Sequence, residues 1–374
     1  MIYKHVIKPI LFCIEPELVH DAVTWGGEQL GKLWLAKRMV GGLFSYQHPS
    51  LESTVCGIEF QNPVGLAGGF DKDMRLTEII PEVGFGFMEV GSVTYHPYEG
   101  NPGRRLLRLP RDQSIIVYYG LKSIGAKAVH QRIQMFSASR KWPPVIPAGI
   151  NIAKTNRADI KGEKSVEDYM KTYRLLSPYF AYTTLNVSCP NAQDGCMFQN
   201  PALLDTLLGA LSREKKHTPI FLKISNSLTY REIDEILKVV GGYSFIDGFV
   251  ISNLSKNRDA LSLHSPKEQL DLLPDGGISG RPIRDISTAL ISYIYRASGR
   301  RYTLIGLGGI FSAEDAYEKI KAGASLVQLV TGLIYEGPEV VKKINHGLVE
   351  LLRRDDYTNI QQAVGAACRR GGSH

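Results

Sequence analysis

The sequence predicts a (β/α)8 barrel behind an N-terminal helical hairpin, and three observations carry that expectation. Between residues 60 and 330, eight short apolar segments recur: PVGLAG, GFMEVG, VIPAGIN, TTLNVS, IFLKI, IDGFVIS, TLIGLG and SLVQLV. Helical stretches separate them, and strand–helix alternation implies right-handed crossovers and a parallel sheet. Eight such units match a closed barrel, with a doubly wound open sheet as the alternative. No uninterrupted apolar run approaches the roughly 18 residues needed to span a bilayer, so the chain is not expected to cross one.

The elements follow in order. Residues 1–45 carry apolar side chains at helical spacing (Val6, Ile7, Ile10, Leu11, then Leu18, Val19, Val23, Leu30, Trp34) on either side of an EPE turn, which reads as a helical hairpin. Its large apolar residues, interleaved with lysines, suit either packing on a following domain or lying in a membrane interface. Lys8 and Pro9 interrupt the first apolar stretch and no small-residue cleavage site follows, so a signal peptide is not expected. Residues 46–354 are assigned to the barrel and 355–374 to a C-terminal tail, whose final GGSH is expected to be unstructured.

Of the 374 residues, 44% are hydrophobic and 22% charged, which is ample for a large core. A net charge of +7 favours anionic partners, whether lipid head groups, nucleic acid or acidic metabolites, without choosing among them. The five cysteines form no CxxC pair, and Cys189 and Cys196 lack the histidines a zinc site would need. No metal site is therefore expected, and a reducing compartment is the simplest reading.

Barrel chemistry belongs at the C-terminal rim of the strands. After the seventh segment comes Gly306-Leu307-Gly308-Gly309-Ile310 and after the eighth Val330-Thr331-Gly332, each leading into a helix. Backbone N–H groups there can hold a phosphate, at the two strand ends where this barrel usually does so; ordinary tight turns are the alternative. Lysines stand at strand ends in Gly69-Phe70-Asp71-Lys72 and Leu222-Lys223-Ile224. A lysine pointing into a barrel needs an anion, either a ligand or a barrel carboxylate.

The most specific stretch is Asn186-Val187-Ser188-Cys189-Pro190-Asn191, at the end of the fourth segment. With NPVGLAGGFDKD, GFGFMEVGSVT, AGINIAK, GGISGRP, GLGGI and GASLVQLVTG in register, it resembles the dihydroorotate dehydrogenases over about residues 1–350. The hairpin resembles that of the membrane-associated, quinone-using class. The resemblance implies FMN contacts from Gly68, Lys72, Ser92, Asn151, Asn186, Lys223, Ser252, Gly280, Gly309, Val330 and Thr331. It implies substrate contacts from Lys72, Asn186, Asn191 and Asn253, with His20 and Arg108 at the quinone entrance. Taken alone, His20 reads as a surface or capping histidine.

Three positions depart from the family pattern. Cys189 stands where the quinone-using class has a serine base, Lys122 replaces a substrate asparagine, and Leu254 replaces a hydroxyl residue. The loop AQDGCMFQN also differs from the usual lid. The implied reaction is FMN-dependent oxidation of dihydroorotate, with Cys189 taking a proton beside a carbonyl. A free thiol, with a pKa of about 8.5, is nearer working pH than a serine hydroxyl. Electrons would pass to a quinone, on a protein peripheral to the inner face of the cell membrane and independent of nucleic acid. Lys122 is expected to meet the substrate's anionic group. The alternatives are a divergent paralogue acting on another small acidic carbonyl compound, a flavin reductase of transfer RNA, and an FMN-binding scaffold with a decayed pocket.

Overall fold

The computed structural model describes residues 2–192 and 194–369; the terminal GGSH lies outside the described residues. Eight strands form the barrel: β1 (Val64–Leu66), β2 (Phe87–Val93), β3 (Ala148–Ile152), β4 (Tyr182–Asn186), β5 (Ile220–Ile224), β6 (Gly248–Ile251), β7 (Thr303–Leu307) and β8 (Leu326–Leu329). Each overlaps one of the eight predicted segments, with three running one or two residues beyond it. Every strand pairs in parallel with its neighbour in sequence, and β8 pairs with β1 through Val327↔Val64 and Leu329↔Leu66. The ring closes, which excludes the open-sheet alternative.

The period-2 alternation of strand side chains divides the molecule into two cores. Met88, Val90, Ile150, Leu185 and Leu222 face the surrounding helices. Phe87, Tyr182, Phe221, Val250, Ile305 and Leu326 instead fill the barrel's lower interior together. Glycine makes room for two of those rings, since a Cβ at Gly65 would lie 2.3 Å from Phe87 and one at Gly149 would lie 2.1 Å from Tyr182. An antiparallel hairpin, Ser53–Val55 with Ile58–Phe60, closes this end, with Phe60 edge-on to Phe87.

The N-terminal segment departs from a simple hairpin. Its helices are α1 (Lys8–Cys13), α2 (Pro16–Lys32) and α3 (Trp34–Phe44). The EPE turn is where the sequence places it, because Glu15 caps α2 by accepting from the N–H groups of Glu17 and Leu18, and Pro16 starts the helix. The second arm, however, breaks at Leu33, which is extended at φ −100 and ψ 110. Arg75–Glu28 and Lys37–Glu82 ion pairs fasten the segment to the barrel. A three-stranded antiparallel sheet, Leu106–Leu109, Ser114–Val117 and Gly277–Gly280, was not anticipated; it brings together two inserts between barrel strands.

Lys319, on the helix Ala313–Lys321, is fully buried behind β7, and its ammonium donates to the Arg284 carbonyl (3.1 Å) and the Thr288 hydroxyl (3.0 Å). Burial lowers its pKa from 10.5 to about 7, against the opposing pull of Asp315. The folded value lies below the unfolded one, so the unfolded chain binds the extra proton and stability rises with pH across that window. We expect the melting temperature of the parent to gain on that of Lys319→Met between pH 7 and pH 9, measured by paired thermal melts. A constant difference would show that Lys319 folds without a change in its proton affinity.

Candidate active site

A buried carboxylate organises the upper barrel. Glu89, on β2, accepts hydrogen bonds from Asn151 Nδ2 (2.7 Å), Thr184 Oγ1 (2.9 Å) and Gln328 Nε2 (3.2 Å), contributed by β3, β4 and β8. Asn151 Oδ1 in turn accepts from Ser92 Oγ, and Ser92 Oγ accepts from Asn186 Nδ2 at 2.9 Å. Asn186 Oδ1 then accepts from Asn253 Nδ2 at 3.2 Å. Three of the asparagines expected at the site thus hang on one chain of hydrogen bonds.

Above this network lies a cavity of about 520 Å³. Its inner wall includes Gly68, Lys72, Ser92, Asn186, Cys189, Asn191, Lys223, Ser252 and Asn253, with Gly280, Gly309, Val330 and Thr331 along one side. Asn151 is the one expected FMN residue that stands behind the wall, where it holds Ser92. The same cavity continues between the N-terminal helices past His20 and Arg108 to Leu30 and Phe44.

One side of the wall is built from turns that favour glycine. Gly308 (φ +114), Gly309 (φ +72) and Gly280 (φ +87) adopt backbone that favours glycine, and a Cβ at Gly280 would lie 2.9 Å from Thr331. Lys223 is buried, and among the described residues it makes no salt bridge, its electrostatic partners being Glu89 and Cys189. Burial lowers its pKa, against the pull of Glu89 and Cys189. Ser252 Oγ and Asn191 Oδ1 are buried without hydrogen-bond partners among the described residues, and both residues line the cavity. An unpaired ammonium and two orphaned polar atoms facing one cavity fit a polar, anionic ligand.

One expectation needs correction. The thiol of Cys189 is not near working pH: burial pushes it up to about 11. Lys122 lines the cavity, but its ammonium lies 3.3 Å from Glu17 Oε1 on α2, a partner the sequence reading missed. Arg105 grips the same carboxylate through Nε (2.9 Å) and Nη2. Tyr119 was also missed; its ring lies 3.9 Å from the Lys72 ammonium, whose pKa burial lowers to about 8.

At the outer end, His20 Nε2 donates to the Phe70 carbonyl (2.8 Å), and burial lowers its pKa to about 4, so the ring is neutral at physiological pH. Arg108 donates to the Ile14 carbonyl (2.7 Å) and covers the Phe12 ring. Both residues therefore tie the N-terminal segment to the barrel.

A family model described as "Dihydroorotate dehydrogenase" matches residues 50–352. The chain belongs to the dihydroorotate dehydrogenase family. It is 38% identical to a "Dihydroorotate dehydrogenase (quinone)" of Nostoc punctiforme, the match covering 97% of this chain and 98% of the relative. A protein of the same name from Roseiflexus castenholzii is 37% identical, over 98% and 96%. Among solved structures, the Eimeria tenella dihydroorotate dehydrogenase in complex with ferulenol superposes with a TM-score of 0.81 at 28% identity, over 97% and 99% of the two chains. These relatives place the chain with the quinone-dependent members of the family, and the family's enzymes are FMN flavoproteins.

Because Glu89 accepts from four donors, the fourth being the Tyr182 hydroxyl at 3.5 Å, removing its carboxylate takes an acceptor from each of them in the barrel interior. Glu89→Ala should destabilise the fold by about 3 kcal/mol or more, on the order of other broken buried charge networks. Glu89→Gln, which keeps one acceptor, should lose less. Denaturant melts showing less than about 1 kcal/mol for the alanine variant would mean that the network does not anchor the site.

Proposed function

We propose that this chain oxidises dihydroorotate to orotate with FMN and passes the electrons to a quinone. One observation carries the proposal: a single cavity joins Cys189 and the unpaired Lys223 at the barrel mouth to the space between the N-terminal helices. FMN would be held by Gly68, Lys72, Ser92, Asn186, Lys223, Ser252, Gly280, Gly309, Val330 and Thr331, with Asn151 in support. When bound it supplies a two-electron acceptor.

The chain's own residues supply the rest. Cys189 Sγ accepts the proton from the carbon beside the substrate carbonyl. Asn191 and Asn253 orient the ring, and Lys122 meets the substrate carboxylate. Lys223 places positive charge beside Cys189 and lowers its pKa against the effect of burial. His20 and Arg108 border the acceptor's path. In this reading residues 1–45 serve the acceptor, 46–354 are the catalytic barrel and 355–374 a tail.

A second reading, oxidation or reduction of another small acidic carbonyl compound, is favoured by Leu254, which lines the cavity but offers no donor. Anaerobic mixing with dihydroorotate, followed by flavin absorbance, separates the two. Bleaching supports the first; an unchanged spectrum beside an intact flavin supports the second. With a thiol raised to about 11, the thiolate fraction grows tenfold per pH unit through the neutral range. The rate of substrate oxidation at saturation should therefore rise with pH from about 6 to 9 with a slope near one. Cys189→Ser should retain the flavin and slow that step severely at neutral pH. A flat profile would assign the proton to another group.

Among the described residues no helix is long and apolar enough to cross a membrane. We place the protein on the inner face of the cell membrane through α3 and the α2–α3 corner. There Leu33, Trp34, Leu35 and Met39 are exposed beside Lys37 and Arg38. This combination suits an anionic interface; nucleic acid has no part in the reading. Trp34 and Leu35 are 70% and 62% exposed, so replacing both with serine should leave the fold intact. Binding to anionic vesicles should weaken about tenfold or more in flotation assays. Equal flotation would locate the contact elsewhere.

A further inference from the structure

We propose that Glu17, carried on α2, competes with the substrate for the Lys122 ammonium and so sets the site's affinity for acids. This rests on the assignment of Lys122 to the substrate carboxylate and adds the N-terminal segment to the acid-binding half of the site.

Glu17 holds two cations unequally. Arg105 engages both carboxylate oxygens, Nε to Oε2 and Nη2 to Oε1, in the fork geometry that makes such pairs strong. Arg105 is further fixed by donating to the Glu99 carbonyl at 2.6 Å. Lys122 shares only Oε1, at 3.3 Å, and its side chain is 32% exposed against 15% for Glu17. When an anion enters the cavity, Lys122 is therefore the cation that can change partners.

The backbone under Lys122 is fixed, so the exchange is confined to its side chain. Asn156 Nδ2 donates to the Gly120 carbonyl at 2.9 Å, and a Cβ at Gly120 would lie 2.1 Å from Asn101 Oδ1. Leu121 is held at φ +71, which the surrounding contacts must enforce. Lys122 also lines a small polar pocket of about 30 Å³ beside the cavity, bordered by Lys72, Asp73 and Tyr119. The Tyr119 hydroxyl and Asp73 Oδ1 are buried there without hydrogen-bond partners among the described residues. That pocket has room for water and puts polar groups beside Lys122 on the side of Lys72 and Asp73.

A partly exposed ion pair is worth up to about 1 kcal/mol, so abolishing the competition should tighten carboxylate binding by up to about fivefold. The test is calorimetric titration of the purified full-length protein with orotate, and with uracil as the same ring lacking the carboxylate. The proteins compared are the parent, Glu17→Gln, Lys122→Met and the double variant. Glu17→Gln keeps an oxygen for Arg105 and should bind orotate about threefold to fivefold tighter with uracil unchanged. That gain should vanish in the Lys122→Met background.

Orotate binding that does not tighten in Glu17→Gln overturns the proposal. So does a gain shared equally by uracil, which would report a loosened helix, or a gain that survives without Lys122. If no protein binds orotate and dihydroorotate leaves the flavin oxidised, the dihydroorotate reading fails by itself. The competition is then decided by the same cycle with nicotinate against nicotinamide, where a gain confined to the acid and dependent on Lys122 upholds it and any other result overturns it.

Discussion

A carboxylate with no access to water must find donors, and in this barrel the donors that Glu89 finds are the residues on which the site is built. Asn151, Thr184 and Gln328 converge on it from three strands, and the bonds pass outward through Ser92 and Asn186 to Asn253. Closure of the ring makes this possible, because it brings β8 beside β1 and lets β2, β4 and β8 face a common interior. Below this layer the interior is aromatic and aliphatic. The change from apolar to polar filling occurs within single strands: Phe87 and Glu89 are two residues apart on β2, as are Tyr182 and Thr184 on β4. A strand whose alternate residues go from ring to carboxylate sets the floor of the cavity.

The upper end depends on a different constraint. The N-terminal helices line the outer cavity together with the barrel's inserts, and they are held by charge as much as by packing. Arg105 and Lys122 reach Glu17, Arg75 reaches Glu28, and Arg108 reaches the Ile14 carbonyl. Three of these four cations come from the insert between β2 and β3, which also supplies two strands of the sheet over the mouth. The outer and inner ends of the cavity therefore share a wall, to which Arg108, Tyr119 and Lys122 all belong.

The strands were legible because buried parallel strands read as short continuous apolar runs, and all eight such runs became barrel strands. The break at Leu33 was not, since leucine suits a helix and the flanking residues keep helical spacing. The sheet over the mouth was not, because its strands are short and pair across long separations, Gly277–Gly280 with Ser114–Val117. Glu89 carried a readable signal, the one carboxylate in the apolar run GFMEVG, and was passed over. Lys122 was legible as an oddity of the pocket, but its partner is 105 residues away, and no spacing rule connects them. The pKa of Cys189 moved opposite to the expectation because depth of burial, which sequence does not report, decides it.

Burial drives three ionisable groups of the inner site the same way. It lowers Lys72 and Lys223 and raises Cys189, so each is driven toward its neutral form. An entering anion reverses this for the lysines: negative charge within a few ångströms stabilises both ammoniums, and the site takes up proton charge as it takes up ligand. The same anion, however, opposes a thiolate at Cys189, and the cation that offsets it is Lys223, which already interacts with the sulfur. The positive charge of Lys223 and an entering anion therefore act on the Cys189 thiol in opposite senses. Backbone N–H groups at Asn191 and Ala192 act with Lys223, held on β5, to offset part of the burial that raises Cys189.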